Sequence, residues 1–325
     1  MRVVLTVLLL AWGAMQSSAA PPGNTLERAT FNGREYAPLG DWARSRGLEV
    51  RWLKTDEQLQ LSNSTTKLVF VTNSREARVN NIQVWLLLPL VTRDKDKRVF
   101  ISQLDLKTTI EPLLAPVRTG TKIKTICLDP GHGGKDPGNR SGRQNEKQYT
   151  LALAKELAAQ LKKAGFKVSL TRNWDSFVEL GERSSAAKRH KADLFVSLHF
   201  NGASSGRDEA RGAETYALTP AGGSSTAGNG VVRGSSYAGN RFNSSNLLLA
   251  YHIQKSLVAK LGVADRGVRR ARFEVLRGAT MPSVLVEGGF LSHPAESTKI
   301  FSATYRREMA RAIVEGIQGY KRAVE

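Results

Sequence analysis

The chain of 325 residues has a single cysteine, Cys127. That excludes an internal disulfide framework and any zinc or iron–sulfur site built from several thiolates. Aromatic residues are sparse at 7%, and acidic residues are outnumbered, 29 Asp and Glu against 48 Lys and Arg, for a net charge of +19. Such a deficit of negative charge points to an acidic partner: nucleic acid, an anionic membrane or an acidic envelope polymer. No apolar run reaches the roughly 20 residues needed to span a bilayer. With 41% apolar and 24% charged residues the chain is neither disordered nor fibrous. Its length suggests two domains, at about 100–200 residues each.

The first twenty residues narrow the choice of partner. Met1-Arg2 is a short positive start, residues 3–14 are apolar, and Ser18-Ala19-Ala20 supplies small residues before Pro21-Pro22. This is the layout of a cleavable secretory signal over residues 1–20. An exported chain without a transmembrane segment, placed in the periplasm or outside the cell at the wall, argues against nucleic acid as the partner. The charge is uneven too. Residues 21–118 hold 15 basic and 11 acidic side chains, whereas residues 119–325 hold 32 and 18.

Residues 21–111 read as a small α+β accessory domain. A short helix from Leu39 to Arg46 stops at Gly47, and residues 48–53, 67–72, 82–88 and 98–101 look extended. The run NGREYAPLGDWARSRGLEVRW resembles the small α+β repeat at the N-terminus of copper amine oxidases and on many secreted bacterial proteins. A weaker echo, RVFISQLDL, follows at 98–106. No catalytic cluster occurs here, so a stalk or wall-binding role is expected. Residues 112–122, with two prolines and a glycine, read as a linker.

From residue 123 to 325 the pattern becomes alternating strands and long helices, predicting an α/β domain whose mostly parallel or mixed sheet of about six strands is flanked by helices. Strands are expected at 123–129, 166–171, 193–200, 213–218, 273–277 and 283–287. Helices are expected at 146–164, 177–190, 245–261 and 303–324. Between them residues 202–245 are rich in Gly and Ser and read largely as a long surface loop.

Ligands of open α/β sheets sit where strands end. The first strand ends in Asp129-Pro130-Gly131-His132-Gly133-Gly134, Glu146 opens the next helix, a later strand ends in Ser197-Leu198-His199-Phe200-Asn201, and the last ends at Glu287-Gly288-Gly289. Two histidines and two glutamates therefore gather at one sheet edge. Catalytic zinc takes three protein ligands, His₂Glu among them, and keeps a fourth place for water. His132, Glu146 and His199 fit as ligands of one Zn2+. Glu287 emerges from the apolar strand PSVLV, so partial dehydration should raise its pKa and suit it as general base for a zinc-bound water nucleophile. Taken singly, each has a plainer reading. Glu146 fits as an acid in a first helical turn, and Glu287 as an ion-pair partner of Arg172 or Arg277.

DPGHGGKDPG, NEK at 145–147, TRNWD at 171–175, SLHFN at 197–201 and VLVEGGFLSHP at 284–294 resemble the zinc-dependent N-acetylmuramoyl-L-alanine amidases, in the family's order and over residues 122–325. The resemblance implies that His132, Glu146 and His199 bind zinc and that Glu287 is catalytic. It also implies that peptidoglycan is the substrate, cut at the amide between the lactyl group of N-acetylmuramic acid and the L-alanine of the stem peptide. Two departures touch loop contacts: His293 stands where Asn is common, and Lys188 replaces a frequent Asn. Some members of the family place an acidic inhibitory helix on the zinc, but residues 219–243 contain no Asp or Glu, so none is expected in that stretch. A zinc carboxypeptidase would need Glu three residues after His132, where Lys135 stands, and a non-catalytic wall binder would lack a ligand or the base.

Among the other residues, His190 and His252 are expected to be solvated and Cys127 buried. Asn201 is a candidate substrate contact. In the Arg-rich stretch 266–277, Arg269, Arg270 or Arg277 is expected to meet stem-peptide carboxylates or anionic envelope polymers, and Arg277 is taken as the candidate of that group.

Overall fold

The computed structural model describes residues 27–206, 208–226 and 236–325. The signal-like segment 1–20 lies outside the described residues. Among them, no helix is long and apolar enough to cross a membrane.

In the N-terminal part, the helix α1 (Leu39–Ser45) leads into a meander of β1 (Glu49–Lys54), β2 (Gln58–Ser62), β3 (Lys67–Val71), β4 (Glu76–Val79) and β5 (Ile82–Trp85). Alternation explains how it packs. Leu59, Leu61, Leu68, Phe70, Ala77, Val79, Ile82 and Val84 turn to one face and are buried, while Gln58, Gln60, Ser62, Val69 and Val71 are half-buried on the other. A separate four-stranded sheet pairs Ala29–Phe31, Arg34–Pro38, Val99–Ser102 and Val91–Thr92. The strands at 58–62 and 76–79 add to those the sequence reading expects; both alternate polar or charged residues with buried apolar ones.

The C-terminal part holds β6 (Thr125–Pro130), α2 (Glu146–Lys163), β7 (Lys167–Leu170), α3 (Leu180–Arg189), β8 (Leu194–Asn201), β9 (Ala213–Leu218), α4 (Asn243–Leu261), β10 (Asp265–Ala271), β11 (Ser283–Phe290), α5 (Pro294–Phe301) and α6 (Ala303–Val324). The sheet is mixed and flanked by helices, and this part contributes six strands to it, as the sequence indicates. One face lies under α2, α4 and α6, where Leu153, Leu157, Leu161, Ile253, Leu257, Ile313 and Ile317 are buried. The other face meets α3 through Ala187 and a smaller cluster with Cys127, Phe195, Tyr216 and Leu285.

Two expectations change. Residues 273–277 are not a strand; Glu274–Arg277 form one helical turn, with the adjacent Val275 and Leu276 both buried, which alternation cannot achieve. The strand's place is taken by β10, hidden in the sequence by its arginines. The linker also begins later than 112, because Glu111–Leu114 completes a helical stretch running from Gln103; irregular backbone follows from Pro116.

The two parts share one sheet of eleven strands in the order β7-β6-β8-β11-β9-β10-β5-β4-β3-β2-β1. The seam is a parallel bridge, Val84 on β5 with Val268 on β10. Asp265 accepts the Gln83 N–H at 2.8 Å, Trp85 Nε1 donates to Arg266 O at 3.0 Å, and Tyr251 OH donates to Val79 O at 3.1 Å. Apolar residues of both parts, Phe70 and Val84 with Leu248 and Ile253, belong to one buried cluster.

A shared core predicts shared unfolding. Calorimetry of the chain should give one cooperative transition, and Tyr251→Phe should lower stability by about 1 kcal/mol. Two resolved transitions would contradict the continuous sheet.

Candidate metal centre

The site forms at the C-terminal ends of the parallel strands β6, β8 and β11. Its foundation is Asp129, fully buried, which accepts from Arg183 Nη1 at 2.8 Å, Thr171 OH at 2.6 Å and Ser197 OH at 2.7 Å. Three of the sequence segments thus meet at one carboxylate, together with Arg183 of α3. Arg172, also buried, donates to Pro130 O, Gly131 O and Lys147 O at 3.0, 2.7 and 3.0 Å. Lys147 Nζ and the Gly134 N–H both reach Asp175, each at 2.7 Å. These bonds fix the loop that carries His132.

Within that loop His132 has φ 61°, a strained conformation for a non-glycine residue. Its Nδ1 meets Asp136 at 2.8 Å, which turns Nε2 toward Glu146 Oε2 at 3.0 Å. His199 Nδ1 faces Glu146 Oε1, also at 3.0 Å. A methyl group on Gly131 would overlap the His199 ring, and one on Gly138 would press on both His132 and the Glu146 carboxylate. Glycine is required at both places because the backbone runs directly against the site. Glu146 is wholly buried at the first turn of α2, and it also accepts from Asn139 N, Asn139 Nδ2 and Phe200 N at 2.9, 3.0 and 3.0 Å.

One donor atom from each of His132, Glu146 and His199 lies within 4.8 Å of the others. Two imidazoles and one carboxylate form a set suited to zinc, with one imidazole oriented from behind by Asp136, as ligating histidines usually are. The residues therefore fit a catalytic zinc. Burial alone would raise the Glu146 pKa, but its bonds to His132 and His199 pull it well below the usual carboxylate range. For His132 burial works downward, and Glu146 and Asp136 outweigh it, so its pKa is raised.

Glu287 stands in register between His199 on β8 and Glu214 on β9. Its Oε2 is enclosed and has no hydrogen-bond partner among the described residues. Burial first, then the charges of Glu146 and Glu214, raise its pKa well above the ordinary value. Neither Arg172 nor Arg277 pairs with it: Arg172 holds backbone carbonyls, and Arg277 bonds Glu274 at 2.7 Å.

Other expectations fare variously. Asn201 lies at the site's edge, with Nδ2 donating to Glu214 at 2.8 Å. Arg277 follows β10, which runs parallel to β9 and so opposite to β11; it stands at the far end of the sheet from Glu287, a placement that does not suit a substrate contact. Arg270 is buried, donating to Thr108 O at 2.7 Å and Leu218 O at 3.3 Å, and is structural. His190 is exposed, but His252 is half-buried against Gly319 of α6, where burial, with Lys255 and Arg322 adding, pushes its pKa down to about 4. Cys127 is buried, and its thiol pKa is pushed up to about 12. His293 caps α5 by accepting the Glu296 N–H at 3.3 Å, a task an Asn could also perform. Sequence reasoning missed Asp136, Asn139 and Glu214. Glu214 carried the same signal as Glu287, an acid inside an apolar strand, AETYAL.

Replacing Asp136 by Asn should weaken zinc binding by about 10–100-fold, measured by competition with a chelator at pH 8. Unchanged affinity would mean that Asp136 does not orient His132.

Comparison with known proteins places this geometry. The family model described as Amidase_3, N-acetylmuramoyl-L-alanine amidase, matches residues 126–319. The amidase AmiC of Neisseria meningitidis is 37% identical over 240 residues, covering 66% of this chain and 57% of that protein. AmiA of Salmonella typhimurium is 34% identical over 228 residues, covering 62% and 78%. Among solved structures, the N-acetylmuramoyl-L-alanine amidase from Clostridium difficile 630 superposes with a TM-score of 0.52 at 33% identity, covering 62% of this chain and 97% of that one. AmiC2 of Nostoc punctiforme gives 0.51 at 34%, covering 62% and 98%. The chain spans little more than half of the Neisseria relative's length. With its metal-fitting residues inside the matched segment, the chain belongs to the N-acetylmuramoyl-L-alanine amidase family.

Proposed function

We propose that the protein hydrolyses the amide between the lactyl group of N-acetylmuramic acid and the L-alanine of the peptidoglycan stem peptide. One Zn2+ would be held by His132, Glu146 and His199, with Glu287 as general base. The observation that carries this reading is the enclosed, unpartnered Glu287 Oε2 beside two imidazoles and a carboxylate that converge within 4.8 Å. When bound, the ion supplies Lewis acidity toward the amide carbonyl and makes a water molecule more acidic.

The chain's own residues do the rest. Glu287 takes a proton from the attacking water and returns it to the departing alanine nitrogen as the C–N bond breaks, leaving a lactyl carboxylate and a free amine. Its raised pKa makes it a stronger base toward the water proton than an exposed carboxylate would be. Asp136, Asn139 and the backbone N–H of Phe200 keep His132 and Glu146 in place. The segment 1–20 supports export to the periplasm or the wall, where the surplus of basic residues favours anionic envelope polymers.

Mass spectrometry of sacculi incubated with the protein should show free stem peptides ending in an alanine amine. Glu287→Gln should retain zinc and lose at least about 100-fold in rate. Release of sugars, or of peptides cut elsewhere, would overturn the bond assignment; a fully active E287Q would overturn the base.

A further inference from the structure

Beside the site, at the end of the sheet where Glu287 lies, two arginines share one buried carboxylate. Arg266 Nε and Arg269 Nε each approach Glu214 Oε2 at 2.9 Å. Glu214, buried, also accepts from Tyr216 OH and Asn201 Nδ2, each at 2.8 Å. Each guanidinium rests on an aromatic ring: Arg266 lies 4.7 Å from the centre of Phe290, and Arg269 lies 5.0 Å from that of Trp85. Trp85 comes from β5, so the N-terminal part completes the wall.

This arrangement is held more firmly than a solvated rim. Arg266 Nε donates to Glu214, Arg269 Nε donates to Arg266 O at 3.2 Å while lying against Glu214, and the terminal nitrogens of both arginines have no hydrogen-bond partner among the described residues. Their side chains remain 33% and 16% exposed. One carboxylate against two guanidinium groups leaves a net positive charge with free planar donors, the geometry that grips a second carboxylate in a fork. Adjacent strands are about 4.8 Å apart, so β10 stands about 10 Å across the sheet from Glu287. An extended peptide covers about 3.5 Å per residue, so two residues and the length of an Arg side chain bridge that gap.

We propose that Arg266 and Arg269, fixed by Glu214 and backed by Phe290 and Trp85, form a subsite for a free carboxylate of the stem peptide, about two residues beyond the amide that is cut. The inference rests on the proposed amidase reading for its substrate, but its test does not require hydrolysis. The subsite sets affinity and leaves the bond-breaking step to Glu287.

Calorimetric titration of the zinc-loaded full chain with the dipeptide L-Ala-D-Glu and with its fully amidated form measures the acid-to-amide affinity ratio. The wild type should favour the acid by roughly 10–100-fold, the usual weight of a hydrogen bond between charged groups. In Arg269→Gln and in Arg266→Gln the ratio should fall toward unity, and Arg269→Lys should restore only part of it. If Arg269→Gln fails to fold, the more exposed Arg266→Gln decides alone. A ratio near one in the wild type, or a high ratio that survives the substitutions, would overturn the subsite; the second result would mean that the carboxylate binds the metal. Failure to release peptides from sacculi would instead overturn the amidase reading, whatever the ratio.

Discussion

A carboxylate removed from water must be compensated, and the centre is organised around that demand at Glu146. Enclosing an ionised carboxylate costs several kcal/mol even after relaxation. Here it is surrounded by two imidazoles, two backbone N–H groups and the Asn139 amide. The compensating groups come from two segments, the loop after β6 (His132 and Asn139) and the end of β8 (His199 and Phe200), while the carboxylate itself opens α2. Satisfying one charge therefore brings together the donor atoms that fit a metal. Asp129 repeats the scheme one layer below, with Arg183, Thr171 and Ser197 as partners. The strain at His132 is held by this lower layer, since Arg172 and Arg183 grip the carbonyls on either side of the turn.

The main features of the site were legible because they are local. A glycine-flanked His at a strand end, an acid opening a helix and an acid leaving an apolar strand are visible in short windows of sequence, and strand ends of an α/β sheet lie together by topology. What was not legible is non-local. The strand DRGVRRA reads as a polar rim until Glu214 and the carbonyls of Thr108 and Leu218 are seen to accept its arginines. Arg277 looked equivalent to Arg269 in the sequence, but the reversal of direction between β11 and β9 sends it to the opposite end of the sheet. His252 looked solvated because its helix face is mixed; the glycines of α6 that let the helices approach lie far along the chain.

The same limit applies to domain organisation. Two prolines, Pro112 and Pro116, and a change of pattern near residue 115 divide the sequence, but they do not divide the core. Sheet edges invite pairing, and β10 would be an exposed edge without the N-terminal meander. The meander covers that edge, and Val84, Gln83 and Trp85 make the join through backbone and side chain alike. The N-terminal part therefore has a structural role: its meander closes the sheet and supplies the ring beneath Arg269.

This changes what the net charge of +19 can mean. A surplus of basic residues is ordinarily read as a long-range field that gathers an acidic partner and weakens with salt. Several of these arginines are not available for that purpose. Arg172, Arg183 and Arg270 are buried, at 3%, 2% and 1% exposure, and, the Nε of Arg270 apart, their nitrogens donate to carbonyls, a hydroxyl and Asp129. Arg266 and Arg269 lie between the two groups, half neutralised by Glu214 and half free. Part of the charge thus acts as rigid internal scaffolding that salt cannot screen, part as a short-range contact beside the site, and only the exposed remainder as a field. Arginine serves the first two tasks better than lysine, because a planar group with five donors can satisfy a buried acceptor and still present a free edge.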